Sequence, residues 1–281
     1  MKAFGLYSEA LKASGFELAE KVKAKPKLLA DPELKPETAE SLIESYQRRR
    51  VIKIPSYKKI VAIGDTHFPF VDSNALSMLY AVIEKTKPDV VVQVGDLADM
   101  LAASRFPRSL NLMTPRTEIA LAKDQASEMW RKIRAIVPSA NLVQLLGNHC
   151  VRPMRQIIEK WPEGEDFVKD SFTTLYSFEG VKTIYDPTEE FWVGDIAFIH
   201  GYRTKLGDHA RFMNANVVCG HTHRGGTVYF PVGNEQKWEL NAGFLADPFS
   251  AALSYRAQKL HNWTVGCGLI DELGPRFIPF T

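Results

Sequence analysis

Five short apolar runs in this chain each stop beside a glycine and a side chain able to ligate a metal, and that repeated form constrains the fold more than any other feature. Ile60-Val61-Ala62-Ile63 runs into Gly64-Asp65-Thr66-His67, and Val90-Val91-Val92-Gln93-Val94 into Gly95-Asp96-Leu97-Ala98-Asp99. Leu142 to Leu146 runs into Gly147-Asn148-His149, Ile196 to Ile199 into His200-Gly201, and Val217-Val218-Cys219 into Gly220-His221-Thr222-His223. Short apolar runs of this kind read as strands buried on both faces, and polar residues at their carboxyl ends line the crevice where open α/β sheets bind ligands. If strand geometry persists past Gly220, His221 and His223 project from one face. The five ends are therefore expected to meet at one crevice above a sheet edge.

Those ends hold five of the seven histidines, three aspartates and an asparagine. Burying such a cluster alone is costly, whereas one or two divalent cations neutralise the carboxylates and take up the lone pairs. The three cysteines, Cys150, Cys219 and Cys267, form no CxxC pair and are odd in number, which argues against thiolate zinc and suits a reducing compartment. No stretch approaches the roughly 18 uninterrupted apolar residues of a membrane span, and the N-terminus lacks the apolar core of a signal peptide. A cytoplasmic location and no membrane partner are expected.

At 281 residues, 45% apolar and 24% charged, the chain can build one substantial core with an appendage. The net charge of +2 says little about partners, but it is uneven: the first 59 residues hold thirteen Lys and Arg against eight Asp and Glu. Prolines 26, 32 and 36 break this leader into a linker, and a helix signalled from Pro36 ends at Arg48-Arg49-Arg50. That end reads either as a solvated helix terminus favoured by the dipole or as a basic arm touching nucleic acid.

From Ile60 onward strands alternate with helices, predicted from Asp72 or Ser73 to about Lys87, from Thr117 to Val137 and from Arg152 to Lys160. Arg105 to Pro115 reads as a loop, and residues 161–190 as a polar, aromatic cover over the pocket edge. After residue 191 the chain turns to consecutive strands: Phe191 to Ile199, Asn216 to Cys219, Thr227 to Val232, Lys237 to Ala242, Thr264 to Ile270 and Arg276 to Phe280. This order predicts an α/β fold with two packed sheets and helices outside.

The ordered strings GDTH, GDLAD, GNHC, IHG and GHTH resemble the motif set of the calcineurin-like metallophosphoesterases. The resemblance covers residues 60–223, with the β-rich remainder compatible to the C-terminus. It implies a four-layer α-β-β-α sandwich of two mixed sheets flanked by helices in residues 56–281, with residues 1–55 a helical N-terminal extension outside it. By similarity, Asp65, His67, Asp96 and His223 hold one metal, and Asp96, Asn148, His200 and His221 a second, with Asp96 bridging. Two divalent ions are implied, manganese favoured, with iron, zinc, cobalt and nickel open. The activity implied is hydrolysis of a phosphate ester by attack of a metal-bridging hydroxide, with His149 as general acid and Asp99 orienting it.

Two departures bear on substrate. Cys150 stands where the family usually has an acidic residue, and is expected to act as a buried small hydrophobe. Met100 stands where many members have an arginine that grips a dianionic monoester, which makes a protein phosphatase less expected. Candidate phosphate ligands are instead Arg105, Arg108, Arg152, Arg203 and Arg224. Asn241-Ala242-Gly243 resembles the turn that follows the last motif in the family, while His209 and His261 read as surface or packing residues. A phosphodiesterase on nucleic acid or nucleotides is the leading reading. A phosphomonoesterase on the same site and a non-catalytic interaction module on the same fold stay open. Specificity is expected in residues 1–55, 103–116 and 161–190.

Overall fold

The computed structural model describes residues 59–104, 113–232, 235–250 and 262–280. The leader, Arg105, Arg108 and His261 lie outside the described residues. Eleven strands among the described residues form two sheets. In the first, order β11-β10-β1-β2-β3-β4, the strands β1 (Ile60–Ile63), β2 (Val90–Gln93), β3 (Asn141–Leu145) and β4 (Val181–Ile184) run parallel, while β10 (Gly266–Asp271) and β11 (Gly274–Pro279) add antiparallel pairs at one edge. The second, order β5-β6-β7-β9-β8, contains β5 (Phe191–Val193), β6 (Ile196–Phe198), β7 (Asn216–Cys219), β8 (Gly226–Val232) and β9 (Glu235–Asn241).

Strand alternation distributes the apolar side chains between layers. Ile60, Ala62, Val90 and Val92 pack with Val193, Phe198, Val218 and Leu240 of the second sheet, closing a core between the sheets. Val61, Ile63 and Val91 face the other way. They pack on Ala75, Leu79 and Ile83 of α1 (Ser73–Thr86) and on Ala122, Ala126, Met129 and Ile133 of α2 (Pro115–Ile136). Outside the second sheet, Ala197, Val217 and Cys219 pack on Ala210 of the short helix α5 (Asp208–Met213). The result is the four-layer order expected, with a thick helical layer on one side and, among the described residues, a thin one on the other.

Local chemistry accounts for the element ends. Asp72 caps α1 by accepting the N–H groups of Asn74 (2.7 Å) and Ala75 (3.4 Å). The helix expected from Thr117 begins earlier, because Thr114 accepts the Thr117 N–H at 3.2 Å and Pro115 occupies the first turn, where its missing N–H costs nothing. The stretch expected as one strand from Phe191 to Ile199 is a hairpin: Gly194 (φ 61°) and Asp195 turn β5 back onto β6. Residues 161–190 do not line the metal-ligand pocket as a cover. They form α4 (Glu165–Leu175) after α3 (Arg152–Lys160), then β4, which pairs with β3 at the sheet edge. No helix among the described residues is long and apolar enough to cross a membrane.

Candidate metal centre

The five motif ends do meet, but from two sheets. β1, β2 and β3 of the first and β6 and β7 of the second all terminate at the same end of the sandwich, and their loops carry every residue of the expected ligand set. The register that sequence alternation suggested for His221 and His223 does not persist. β7 ends at Cys219, and both histidines adopt left-handed backbone, φ 68° and 61°. His67 (49°) and Asp96 (48°) do the same. Non-glycine residues rarely occupy this region, and they cluster at sites where surrounding contacts over-determine the backbone.

The turns let the side chains fall into two groups. In the first, His223 Nε2 lies 3.0 Å from Asp65 Oδ2 and 3.0 Å from His67 Nε2. In the second, Asn148 Oδ1 lies 2.9 Å from both His200 Nε2 and His221 Nδ1, and Asp96 Oδ2 lies 3.3 Å from His200 Nε2. Asp65, His67, Asp96, His200 and His223 are all buried. Two glycines are fixed by this crowding. A Cβ on Gly147 would come within 2.2 Å of Asp96 Oδ1, and one on Gly220 within 2.3 Å of Asp65 Oδ1.

Hydrogen bonds away from the groups decide where the protons sit. His67 Nδ1 donates to Asp99 Oδ1 at 2.9 Å and His200 Nδ1 donates to the Val94 carbonyl at 3.1 Å, so each ring turns its Nε2 inward, toward the neighbouring carboxylate. Asp65 is held by the His221 N–H and Asp96 Oδ1 by the His149 N–H at 2.8 Å. The ligating atoms of each group therefore converge on one another. The donor set, carboxylate, amide and imidazole, fits divalent cations of intermediate hardness. Asp65, His67 and His223 could hold one ion, and Asp96, His200 and His221 another.

The electrostatics agree. Burial works against charge on Asp96, yet the His200 and His149 rings hold its carboxyl well below the usual range. Burial likewise opposes charge on Asp99, and its bonds to His149 and His67 outweigh that and lower it. Burial would lower His200, but Asp96 beside it raises it to about 9. His221 and His223 are lowered, chiefly by burial. Carboxylates are thus kept ionised in a dry site, the state in which they ligate cations.

One oxygen of Asp99 serves two rings: His149 Nδ1 donates to the same Oδ1 at 2.8 Å. Asp99 is positioned in turn by the loop after it, whose Leu101 and Ala102 N–H groups are accepted by the buried Glu118 carboxylate of α2 at 2.5 and 2.8 Å. Arg152, at the start of α3, donates to the Asp99 carbonyl at 2.9 Å and to His149 Nε2 at 2.7 Å. Arg152 and Arg224 line a cavity of about 260 Å³ together with Asp96, Asn148, His149, Thr204, His221, Thr222, His223 and Trp263. Arg203 does not line this cavity; its guanidinium lies over the Phe212 ring.

The departures have plain structural counterparts. Cys150 is fully buried in the core beneath α2, and burial pushes its thiol up to about 12. Met100 is also buried there. Asn241 bonds the Gly220 carbonyl at 2.7 Å and Thr222 Oγ1 at 3.1 Å, clamping the turn that carries His221 and His223. His209 is a packing residue, 2% exposed. Sequence reasoning passed over Trp263 and Phe244, whose rings pack on His223 with centroids 4.5 and 5.0 Å away. Nothing in their local pattern marks them, since both lie outside the motifs.

Known proteins resemble this chain over most of its length. The Gene 54 protein of Mycobacterium phage D29 is 28% identical over 243 residues, which is 79% of this chain and 93% of that protein. The Gene 54 protein of Mycobacterium phage L5 is 29% identical over 245 residues, 79% and 92% of the two chains. A metallophosphoesterase from Sphaerobacter thermophilus superposes with a TM-score of 0.40 and 13% identity, covering 80% of this chain and 89% of that one. The model of the calcineurin-like phosphoesterases matches residues 58–225, the span that carries all five motifs, and the chain belongs to that family.

Proposed function

We propose that this protein is a cytoplasmic two-metal phosphodiesterase acting on nucleic acid or nucleotides, with manganese as the favoured ion. The observation behind the metal assignment is the convergence of imidazole nitrogens and ionised carboxylates in two adjoining groups. Asp65, His67 and His223 would hold one cation and Asn148, His200 and His221 the other, and Asp96 could serve both, since a carboxylate has lone pairs enough for two. A pair of divalent ions bound there would supply positive charge to the phosphoryl oxygens and lower the pKa of a water nucleophile.

The chain's own groups do the rest. Arg152 and Arg224, lining the cavity, offset phosphate charge. The leaving alkoxide needs a proton, and His149 is placed to give it. Without substrate, His149 Nε2 accepts from Arg152; a phosphate that draws the guanidinium away frees that nitrogen to carry a proton, while Asp99 keeps the ring oriented through Nδ1. Diester preference is supported by Met100, a buried thioether at a position where the monoester-gripping arginine would stand.

The test compares manganese-dependent turnover of a bis-aryl phosphate with that of the mono-aryl phosphate. Faster turnover of the diester is expected, and the reverse order would favour the monoesterase. Asp96→Asn should lower either activity by at least about 10³-fold. Unchanged hydrolysis in that variant would refute both enzymatic readings and leave the interaction module.

A further inference from the structure

The chain leaves the metal pocket after His200-Gly201 along a surface segment, Tyr202 to Lys205, of which Thr204 still lines the pocket. Two large rings beside it face solvent: Tyr202 is 62% exposed and Phe212 of α5 is 68% exposed. The Arg203 guanidinium lies 4.5 Å from the Phe212 ring centroid and 5.3 Å from that of Tyr202. Its Nε is buried with no hydrogen-bond partner, and no carboxylate among the described residues pairs with it.

Single exposed rings on a loosely held loop need no explanation. These are held firmly. The backbone N–H groups of Tyr202 and Arg203 both donate to His209 Nε2, at 3.0 and 2.9 Å. One imidazole lone pair accepting two donors places the ring proton on Nδ1, which faces the buried Glu239 Oε1 at 3.4 Å, and the other Glu239 oxygen accepts the Ala210 N–H at 2.9 Å. The Tyr202 ring packs edge-on to His209 with centroids 5.2 Å apart. A buried His–Glu pair on α5 and β9 thus fixes a ledge of rings next to the pocket. Between residues 202 and 212 the charges are Arg203, Lys205 and Arg211 against Asp208 alone.

We infer that Tyr202, Arg203 and Phe212 form a stacking ledge for the bases of single-stranded nucleic acid whose phosphodiester occupies the adjoining pocket, an inference that rests on the hydrolase reading and narrows its substrate. Exposed rings with an interleaved guanidinium suit bases of any sequence, because each has a π face, while the excess of cations meets the backbone. A small aryl ester has nothing to place there. A protein partner would use the rings but not the regular spacing of phosphate and base.

The measurement is fluorescence anisotropy of a labelled 12-nucleotide single strand on full-length protein treated with chelator, so that binding is read without cleavage and separately from the hydrolase assignment. Tyr202→Ala and Phe212→Ala should each weaken binding at least about fivefold, and an abasic strand should bind the unaltered protein correspondingly less well. The same variants, loaded with manganese, should turn over the bis-aryl phosphate within about twofold of the unaltered protein. Equal affinity for abasic and normal strands, or unchanged affinity in both variants, would overturn the ledge whatever the fate of the hydrolase assignment. The abasic comparison needs no substitution and so does not depend on a variant folding.

Discussion

Around Asp65 the imidazoles lean on side chains, whereas His200 beside Asp96 leans on the main chain; each carboxylate is itself held by a backbone N–H. His67 is oriented by the Asp99 carboxylate, and His223, whose Nδ1 has no hydrogen-bond partner, by the stacked ring of Phe244 and the edge of Trp263. His200 instead donates to the Val94 carbonyl, and Asp96 itself is held by the His149 N–H. A backbone prop is secured by the sheet and no substitution removes it directly; a side-chain prop can be cut away alone. The two ions should therefore respond differently to mutation.

The harshest break of that contrast is Gly147→Ala. Its Cβ would collide with Asp96, the carboxylate common to both groups, so the expected result is loss of both ions and of turnover, with stability lower by about 1–3 kcal/mol. Metal analysis of the purified variant checks it, and retention of two ions would show that Asp96 is not shared. Asp99→Asn sharpens the contrast. It should weaken the ion at Asp65, His67 and His223 by about 10–100-fold and leave the other nearly as tight, as two separable steps in a calorimetric manganese titration. Equal weakening of both steps would mean that the groups are not independently supported. The smallest effect is expected from Phe244→Leu, which removes the stacked ring from His223. A two- to tenfold loss confined to the same ion follows from the worth of such ring pairs, and the same titration reads it.

The sequence made the strand ends legible because burial on both faces leaves an uninterrupted apolar run, as in Val90 to Gln93, and because a glycine beside a ligand is a conspicuous pair. It did not reveal how the ligands turn. The φ of His67, Asp96, His221 and His223 is set by contacts between motifs that are far apart in the chain, so alternation read across Gly220 had no access to it. β4 was hidden for a different reason: as an edge strand with Lys182 exposed, it carries only a weak apolar pattern. The Gly194-Asp195 turn was readable, and the apolar residues on either side of it masked the break. Trp263 and Phe244 are ordinary aromatic residues until the fold sets them against His223.

The left-handed ligands have a consequence for anyone wishing to toughen this protein. Exchanging His67, His221 or His223 for asparagine, which adopts left-handed backbone more readily, would relax an uncomfortable backbone while removing the very imidazole that justified the discomfort. Selection for heat resistance alone would drift toward a sturdier, inert relative. Screening with metal present, and for turnover, is what would keep those three imidazoles in place.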